Sequence, residues 1–256
     1  MTRKSGKKRL DMLMVEKGLA PSREQARSLI MAGRVLVEGV GVEKPGKEVP
    51  TSAEISVKEY MPYVSRGGLK LEAALDGFHV DPTSLSLLDA GASTGGFTHC
   101  LLKRGARRVI AVDVGYGQFD WQLRNDPRVT LIERTNIRFL DPASLPYLVD
   151  GAVADLSFIS LTLVLPKLAE ILPVDGWLIP LVKPQFEVGR ADVGKGGVVR
   201  DEEKIKGAVE KVKRFADRCA FEVLGELESP LRGPKGNREI FLYLRKTHRP
   251  QEPCSS

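Results

Sequence analysis

An α/β protein with a doubly wound, mostly parallel sheet, preceded by a small α+β domain, is what the 256-residue sequence predicts. Three observations carry that expectation. Beyond residue 85, five apolar runs of strand length alternate with segments of helix length, the pattern of a parallel sheet covered on both faces. Before residue 60 the pattern is different, with two short amphipathic helices and brief alternating strands. The charge is also divided: residues 1–35 hold nine Lys or Arg against three acids, which accounts for the whole net charge of +6 and leaves the other 221 residues neutral in sum. A basic end on a neutral body is the electrostatic footprint of polyanion binding.

Taken in order, Leu10, Leu13 and Met14 have helical spacing and Gly18 supplies a stop. Ser22-x-x-Gln25 is a capping box, Ala26, Leu29 and Ile30 form one apolar face, and Gly33 closes that helix. Val35 and Val37 alternate as a strand, Lys44-Pro45-Gly46 marks a turn, and Ile55 and Val57 alternate again. This stretch resembles the small RNA-binding domain first described in a ribosomal small-subunit protein and shared with pseudouridine synthases and tyrosyl-tRNA synthetases. The resemblance implies RNA contact through the second helix and its flanks, at Arg9, Arg23, Arg27 and Arg34. The expected boundaries are residues 1–60 for this domain, 61–68 for a linker, 69–247 for the α/β domain and 248–256 for a tail.

In the α/β domain the predicted strands are LSLLDAGAS, RRVIAVDVG, RVTLIERT, DGAVADLS and GWLIPLVKP, separated by helical segments such as TGGFTHCLLKRG and LTLVLPKLAEIL. Two later runs, AFEVLGELES and REIFLYLRK, joined by PLRGPKGN, suit an antiparallel addition at one edge. No segment approaches the roughly 18 apolar residues a spanning helix needs, and MTRKSGKKRL lacks the apolar core of a signal peptide, so a cytoplasmic protein with no membrane association is expected. Cys100, Cys219 and Cys254 form no C-x-x-C pair, and His79, His99 and His248 form no ligand-spaced cluster with them, so neither a metal nor a disulfide framework is expected.

The first of the five strands delivers Asp89-Ala90-Gly91-Ala92-Ser93-Thr94-Gly95-Gly96-Phe97 into a helix. Glycines at such a turn let a backbone approach a ligand, and the helix start offers free N–H groups to an anion. The second strand ends on Asp113, an acid suited to ribose hydroxyls. The spacing is not G-x-G-x-x-G; D-x-G-x-x-x-G with a downstream Asp resembles the S-adenosylmethionine loop of Rossmann-like methyltransferases. That resemblance implies S-adenosylmethionine as cofactor, with contacts from Asp89, Gly91, Ser93, Thr94, Gly95, Gly96, Phe97, Asp113 and Asn136. Gly189 to Gly196 nearly spells a phosphate-binding loop, but Gly196 stands where a Ser or Thr should hold magnesium, so ATP binding is rejected.

The apolar strand GWLIPLV stops on Lys183, a residue type seldom buried. In an open parallel sheet the carboxyl ends of adjacent strands form the ligand crevice, so Lys183 and Asp155 are expected on one cleft floor with Asp89 and Asp113. Lys70, Asp155, Lys183 and Glu239, in that order, resemble the tetrad of FtsJ-type ribose 2′-O-methyltransferases. With the basic N-terminal domain, YVSRGGLKL, LDAGASTGGFT, DLSFISL and LVKPQFEVG, the chain resembles the TlyA-type rRNA methyltransferases along nearly its full length. This implies methylation of cytidine ribose in ribosomal RNA, free or in ribosomal subunits, with Lys183 as base or alkoxide holder and Asp155 orienting it. Enzymes of this fold that methylate amines carry Asn or Asp before Pro-Pro at this strand end, so Lys183-Pro184-Gln185 points to a hydroxyl acceptor. The basic loops Arg190 to Arg200 and Arg232 to Arg238 are expected near the cleft. Competing readings are a non-catalytic RNA-binding or assembly platform, and a membrane-lytic protein, since some relatives are labelled haemolysins. LTLVLPKLAEILPVDGWLIPLV is broken by Lys167, Glu170, Asp175 and three prolines, which argues against the second.

Overall fold

The computed structural model describes residues 6–57, 61–189 and 192–248; Arg3, Lys4, Tyr60, Arg190, Cys254 and the tail after His248 lie outside the described residues. The chain divides into two compact units, residues 1–61 and 62–256.

The first unit runs β1 (Lys7–Arg9), α1 (Leu10–Glu16), α2 (Arg23–Met31), β2 (Val35–Val37), β3 (Val40–Val42), β4 (Glu48–Pro50) and β5 (Ile55–Val57). Leu10, Leu13 and Met14 of α1 and Ala26 and Ile30 of α2 close one core with Val35, Val42 and Ile55. Ser22 caps α2, its side chain accepting from the Gln25 N–H at 3.2 Å, and the chain leaves the two helices through Gly18 and Gly33 at φ +70° and +66°. Both glycines sit in the left-handed region, where a Cβ is penalised. β2 is the centre of an antiparallel sheet, β3-β2-β5, and β1 pairs with β4. All five strands have three residues; β2 and β5 alternate visibly, whereas β1 (KKR) has no apolar residue, β4 (EVP) has a single valine, and β3 (VGV) sets a glycine between its valines.

The second unit contains α3 (Arg66–Gly77), β6 (Ser86–Ala90), α4 (Gly96–Lys103), β7 (Arg108–Val112), α5 (Trp121–Arg124), β8 (Val129–Ile132), β9 (Gly151–Ala154), α6 (Leu165–Ile171), β10 (Trp177–Val182), α7 (Pro184–Glu187), α8 (Glu202–Arg218), β11 (Phe221–Glu228) and β12 (Ile240–Lys246). The sheet order is β11-β12-β10-β9-β6-β7-β8, with β6 to β10 mutually parallel. The strand that runs against the others is β12, antiparallel to β10 on one side and to β11 on the other. It therefore lies one place inside the sheet, and β11 is the edge.

Two cores explain why these strands read as continuous apolar runs. Leu88, Ile110, Ala152, Leu178 and Leu242 face α6 and α8, where Leu168, Val209 and Val212 cover them. Their chain neighbours Leu87, Val109, Val153, Ile179 and Phe241 face α3 and α4 and pack with Leu71, Leu75 and Leu101. The order of connection reverses between β6 and β9. There the loops leaving adjacent strands part in opposite directions and open a crevice.

Candidate active site

The loop leaving β6 is held from beneath by Asp89. Its carboxylate is fully buried, and Oδ2 accepts from the Thr98 N–H at 2.9 Å and the Thr98 hydroxyl at 2.6 Å, fixing the first turn of α4. Oδ1 is buried without a partner, and burial pushes the carboxyl pKa up to about 7. The glycines are required by packing against protein. A Cβ on Gly91, at φ +87°, would lie 2.7 Å from the Asp155 carbonyl oxygen, and one on Gly96 would lie 2.1 Å from Ser65 Oγ. They bring the β6 loop against the β9 loop and α4 against α3; this close approach is between segments of the chain.

Asp113, beyond β7, accepts from the Ser93 N–H at 2.8 Å through Oδ2, and from the Gly115 N–H at 2.6 Å through Oδ1. It ties two loop tips together and stands in the wall of a cavity of about 750 Å³ with Gly91, Ser93, Asn136, Ile137 and Leu156. Asn136 caps the short turn that follows it, its Oδ1 accepting from the Arg138 N–H at 3.1 Å. A neighbouring cavity of about 360 Å³ meets Gly91, Ser93, Thr94, Gly96, Phe97, Lys70 and Asp155. Asp89 and Gly95 line neither.

The four residues expected to do chemistry form two ion pairs at strand ends. Lys70 Nζ lies 2.5 Å from Glu239 Oε2, with both side chains buried, and Lys183 Nζ lies 2.6 Å from Asp155 Oδ1. Lys183 also donates to Ser157 Oγ at 2.9 Å; its contact with Asp155 is a close ion pair outside hydrogen-bond angles. Backbone pairing unites the pairs. Val182 of β10 stands opposite Ile240 of β12, so the next positions outward are Lys183 and Glu239. These two line a third cavity of about 280 Å³ with Ser157, Gln185, Phe158 and Phe186. Lys70, Lys183 and Glu239 are buried, which is tolerable only with each in contact with an opposite charge, while Asp155 is partly exposed.

Two residues of this region were not singled out from the sequence, although Ser157 lies in DLSFISL and Glu187 in LVKPQFEVG. Ser157 has no distinguishing spacing, and only the turn after β9 brings it to Lys183. Glu187, almost fully buried, accepts from the Ser160 hydroxyl at 2.5 Å and the Leu161 N–H at 2.7 Å, with Lys211 Nζ 3.7 Å away. It ties the β9 loop to the short helix that starts just after Lys183.

In the first unit, Arg9 and Arg23 converge on Asp11, which is fully buried. Asp11 Oδ2 lies 3.0 Å from both Arg9 Nη2 and Arg23 Nε. The two Arg9 hydrogen bonds, helped by the one from Arg23, hold the Asp11 carboxyl down to about 2. Both guanidiniums remain about half exposed, so each can meet another anion on its open side. Arg27 is exposed on the same helix as Arg23, and Arg34 follows that helix.

Fold and site together define a Rossmann-type methyltransferase unit joined to a small basic unit of the S4 type. The FtsJ-like methyltransferase family matches over residues 63–246 and the S4 domain over residues 8–55. The chain belongs to the FtsJ-like methyltransferases and, among them, to the TlyA family. It is 49% identical over 239 residues to the 16S/23S rRNA (cytidine-2′-O)-methyltransferase TlyA of Mycobacterium tuberculosis, covering 93% of this chain and 89% of that one. It is 40% identical to Hemolysin A of Brachyspira hyodysenteriae, covering 92% and 99% of the two chains. A solved structure from Streptococcus thermophilus, named as a hemolysin, superposes with a TM-score of 0.74 at 43% identity, covering 98% of this chain and 92% of the other.

Proposed function

We propose that the chain transfers a methyl group from S-adenosylmethionine to the ribose 2′-hydroxyl of a cytidine in ribosomal RNA. The observation that carries this reading is the two lysine–carboxylate ion pairs, Lys70–Glu239 and Lys183–Asp155, set side by side at the adjoining ends of β10 and β12, with Asp155 at the end of the neighbouring β9. The 750 Å³ cavity fits the cofactor in size and lining. It offers the Asp113 carboxylate for ribose hydroxyls, Asn136 and the apolar Ile137 and Leu156 for an adenine, and the tight Gly91 turn. When bound, S-adenosylmethionine supplies a methyl group already activated by its sulfonium.

The protein's own residues have the remaining tasks. A protonated ribose hydroxyl is a weak nucleophile, so the site must align the acceptor oxygen and manage one proton. Lys183 Nζ, at the cavity floor, takes that proton or holds the developing oxyanion. Asp155 holds Lys183 from one side by a close ion pair, while the buried Lys70–Glu239 pair completes the frame. The basic first unit, with Arg9, Arg23, Arg27 and Arg34, supplies sequence-independent attraction for RNA phosphate. The hemolysin names prompt a second reading, but no helix among the described residues is long and apolar enough to cross a membrane. Nor do the described residues contain a group of three or more His, Cys, Asp or Glu placed to hold a metal.

The test is transfer of labelled methyl from S-adenosylmethionine to purified small and large ribosomal subunits from a strain lacking the enzyme. Wild type is expected to label rRNA, and Lys183→Ala to lose transfer by at least about 100-fold while binding the cofactor normally. Cofactor binding without transfer to either subunit would sink the rRNA assignment; loss of cofactor binding in a folded Lys183→Ala variant would sink the role given to Lys183.

A further inference from the structure

The position of Ser157 at Lys183 leads to an inference that rests on the reading above. The Lys183 amine turns about its Cε–Nζ bond, and a hydrogen bond in good geometry is what fixes that turn. Lys183 makes such a bond to Ser157 Oγ at 2.9 Å, whereas Asp155 Oδ1, at 2.6 Å, is a close ion pair outside hydrogen-bond angles. The Ser157 bond thus settles the directions of the other positions on Nζ. With Asp155 alone, attraction would hold Nζ in place but leave the turn about Cε–Nζ unfixed.

Ser157 also stands at a particular boundary. It lines both the 750 Å³ cavity that contains Asp113 and the 280 Å³ cavity shared by Lys183 and Glu239. A group passing from a donor in the first cavity to an acceptor in the second crosses this wall. We propose that Ser157 is a positioning residue for the methyl transfer: its hydroxyl accepts from Lys183 and thereby fixes the turn of Nζ that aims a free position at the acceptor 2′-oxygen.

The destination of the 2′-hydroxyl proton depends on the form in which Lys183 begins. As a neutral amine it donates one N–H to Ser157 with Asp155 in close contact, and its lone pair receives the 2′-hydroxyl proton while the O–H electron pair stays on oxygen to form the new bond to carbon. As an ammonium it keeps the same partners and donates to the oxygen as charge grows there, and the 2′-hydroxyl proton leaves to water instead. In both cases the Ser157 hydroxyl is neither consumed nor charged. Its own proton stays free to donate elsewhere in the wall.

The nearby Glu187 contacts place the serine. Lys183 fixes the loop after β9 at Asp155 and Ser157, and Glu187 fixes it again at Ser160 and Leu161. A loop tied at both ends to the same short chain segment has little freedom to swing Ser157 away. An ordinary local polar contact would have no need of that second tie.

The experiment compares wild type, Ser157→Ala and Ser157→Thr in methyl transfer to rRNA. In parallel, the rate at which acetic anhydride modifies Lys183 in each protein is read by mass spectrometry. For Ser157→Ala, kcat should fall about 10- to 100-fold, with KM for S-adenosylmethionine and RNA and the melting temperature unchanged, because the contact matters only when the oxygen reacts. Ser157→Thr, which restores a hydroxyl, should recover to within about fivefold of wild type. Lys183 should be acetylated at least about threefold faster in the alanine variant, its nitrogen having lost a partner. A kcat within about twofold of wild type in Ser157→Ala would overturn the proposal, as would equal losses in the alanine and threonine variants. Should wild type transfer no methyl, the acetylation rates decide separately: faster modification in Ser157→Ala supports the positioning role while the rRNA reading fails, and unchanged modification overturns the positioning role.

Discussion

Asp89 supports the glycine loop through a single oxygen and carries a carboxyl raised by burial to about 7. The unfolded chain releases this proton near the ordinary aspartate value of 3.8, whereas the native protein keeps it to about 7. Across that window the native state binds more protons, so stability from the protonated carboxyl is complete at about pH 4 and below, and is lost as pH rises through 7. Asp89→Asn keeps an oxygen for Thr98 and cannot ionise. Urea midpoints at pH 5 and pH 8 should therefore fall less in the variant than in wild type; equal falls would show that Asp89 is not the titrating group. At this scale the sequence was informative where a residue type contradicts its surroundings. Lys183 at the end of an apolar strand declared itself, as did Asp113 after the second strand of the sheet. Ser157 and Glu187 did not, because a serine in a turn and a glutamate after a proline suit ordinary solvent-facing positions. Their significance depends on which buried groups meet them. Asp11 lies in an amphipathic helix and gave no hint that two arginines would close over it.

α3 carries Lys70, and the segment that enters α3 packs back on the helix at Gly68, where a side chain has no room. A Cβ on Gly68 would lie 2.2 Å from the Tyr63 ring, whereas one on Gly207 in the exposed course of α8 would meet nothing within 4 Å. Gly68→Ala should cost about 1–3 kcal/mol through overpacking and lower the melting temperature by about 3–10 °C. Gly207→Ala should gain about 0.5–1 kcal/mol from helix propensity alone. Differential scanning calorimetry of both variants checks the argument, and shifts of the same sign would refute it. The major strands and helices were readable in advance because each carries enough residues to show its period. β1, which has no apolar residue, and β4, which has a single valine, were not, and nothing local distinguishes β12 as the inserted strand. A strand flanked on both sides and an edge strand differ in their partners, and partners are not written in a strand's own alternation.

For the molecule as a whole, the division of charge has a consequence for RNA affinity. The net +6 belongs to the first 35 residues, while the chemistry belongs to lysines and carboxylates paired within the second unit. Affinity and turnover should therefore respond to different substitutions. Arg27 is exposed and makes no contribution to the lysine–carboxylate frame. If it meets a phosphate, Arg27→Ala removes one counterion-releasing contact, so the slope of log K against log salt for ribosomal RNA should become shallower by about 0.7–0.9. The turnover at saturating RNA should stay within about twofold, since no group at the reacting oxygen has changed. Fluorescence anisotropy of a labelled rRNA fragment between 50 and 200 mM salt, beside single-turnover methyl transfer, separates the two effects, with about 50–200 mM being the range where such contacts weaken most visibly. An unchanged slope with reduced turnover would mean that Arg27 acts on the chemistry and that the division of labour drawn from the charge distribution is wrong. A shallower slope with intact turnover would place binding in the first unit, leaving the second to set which hydroxyl reacts.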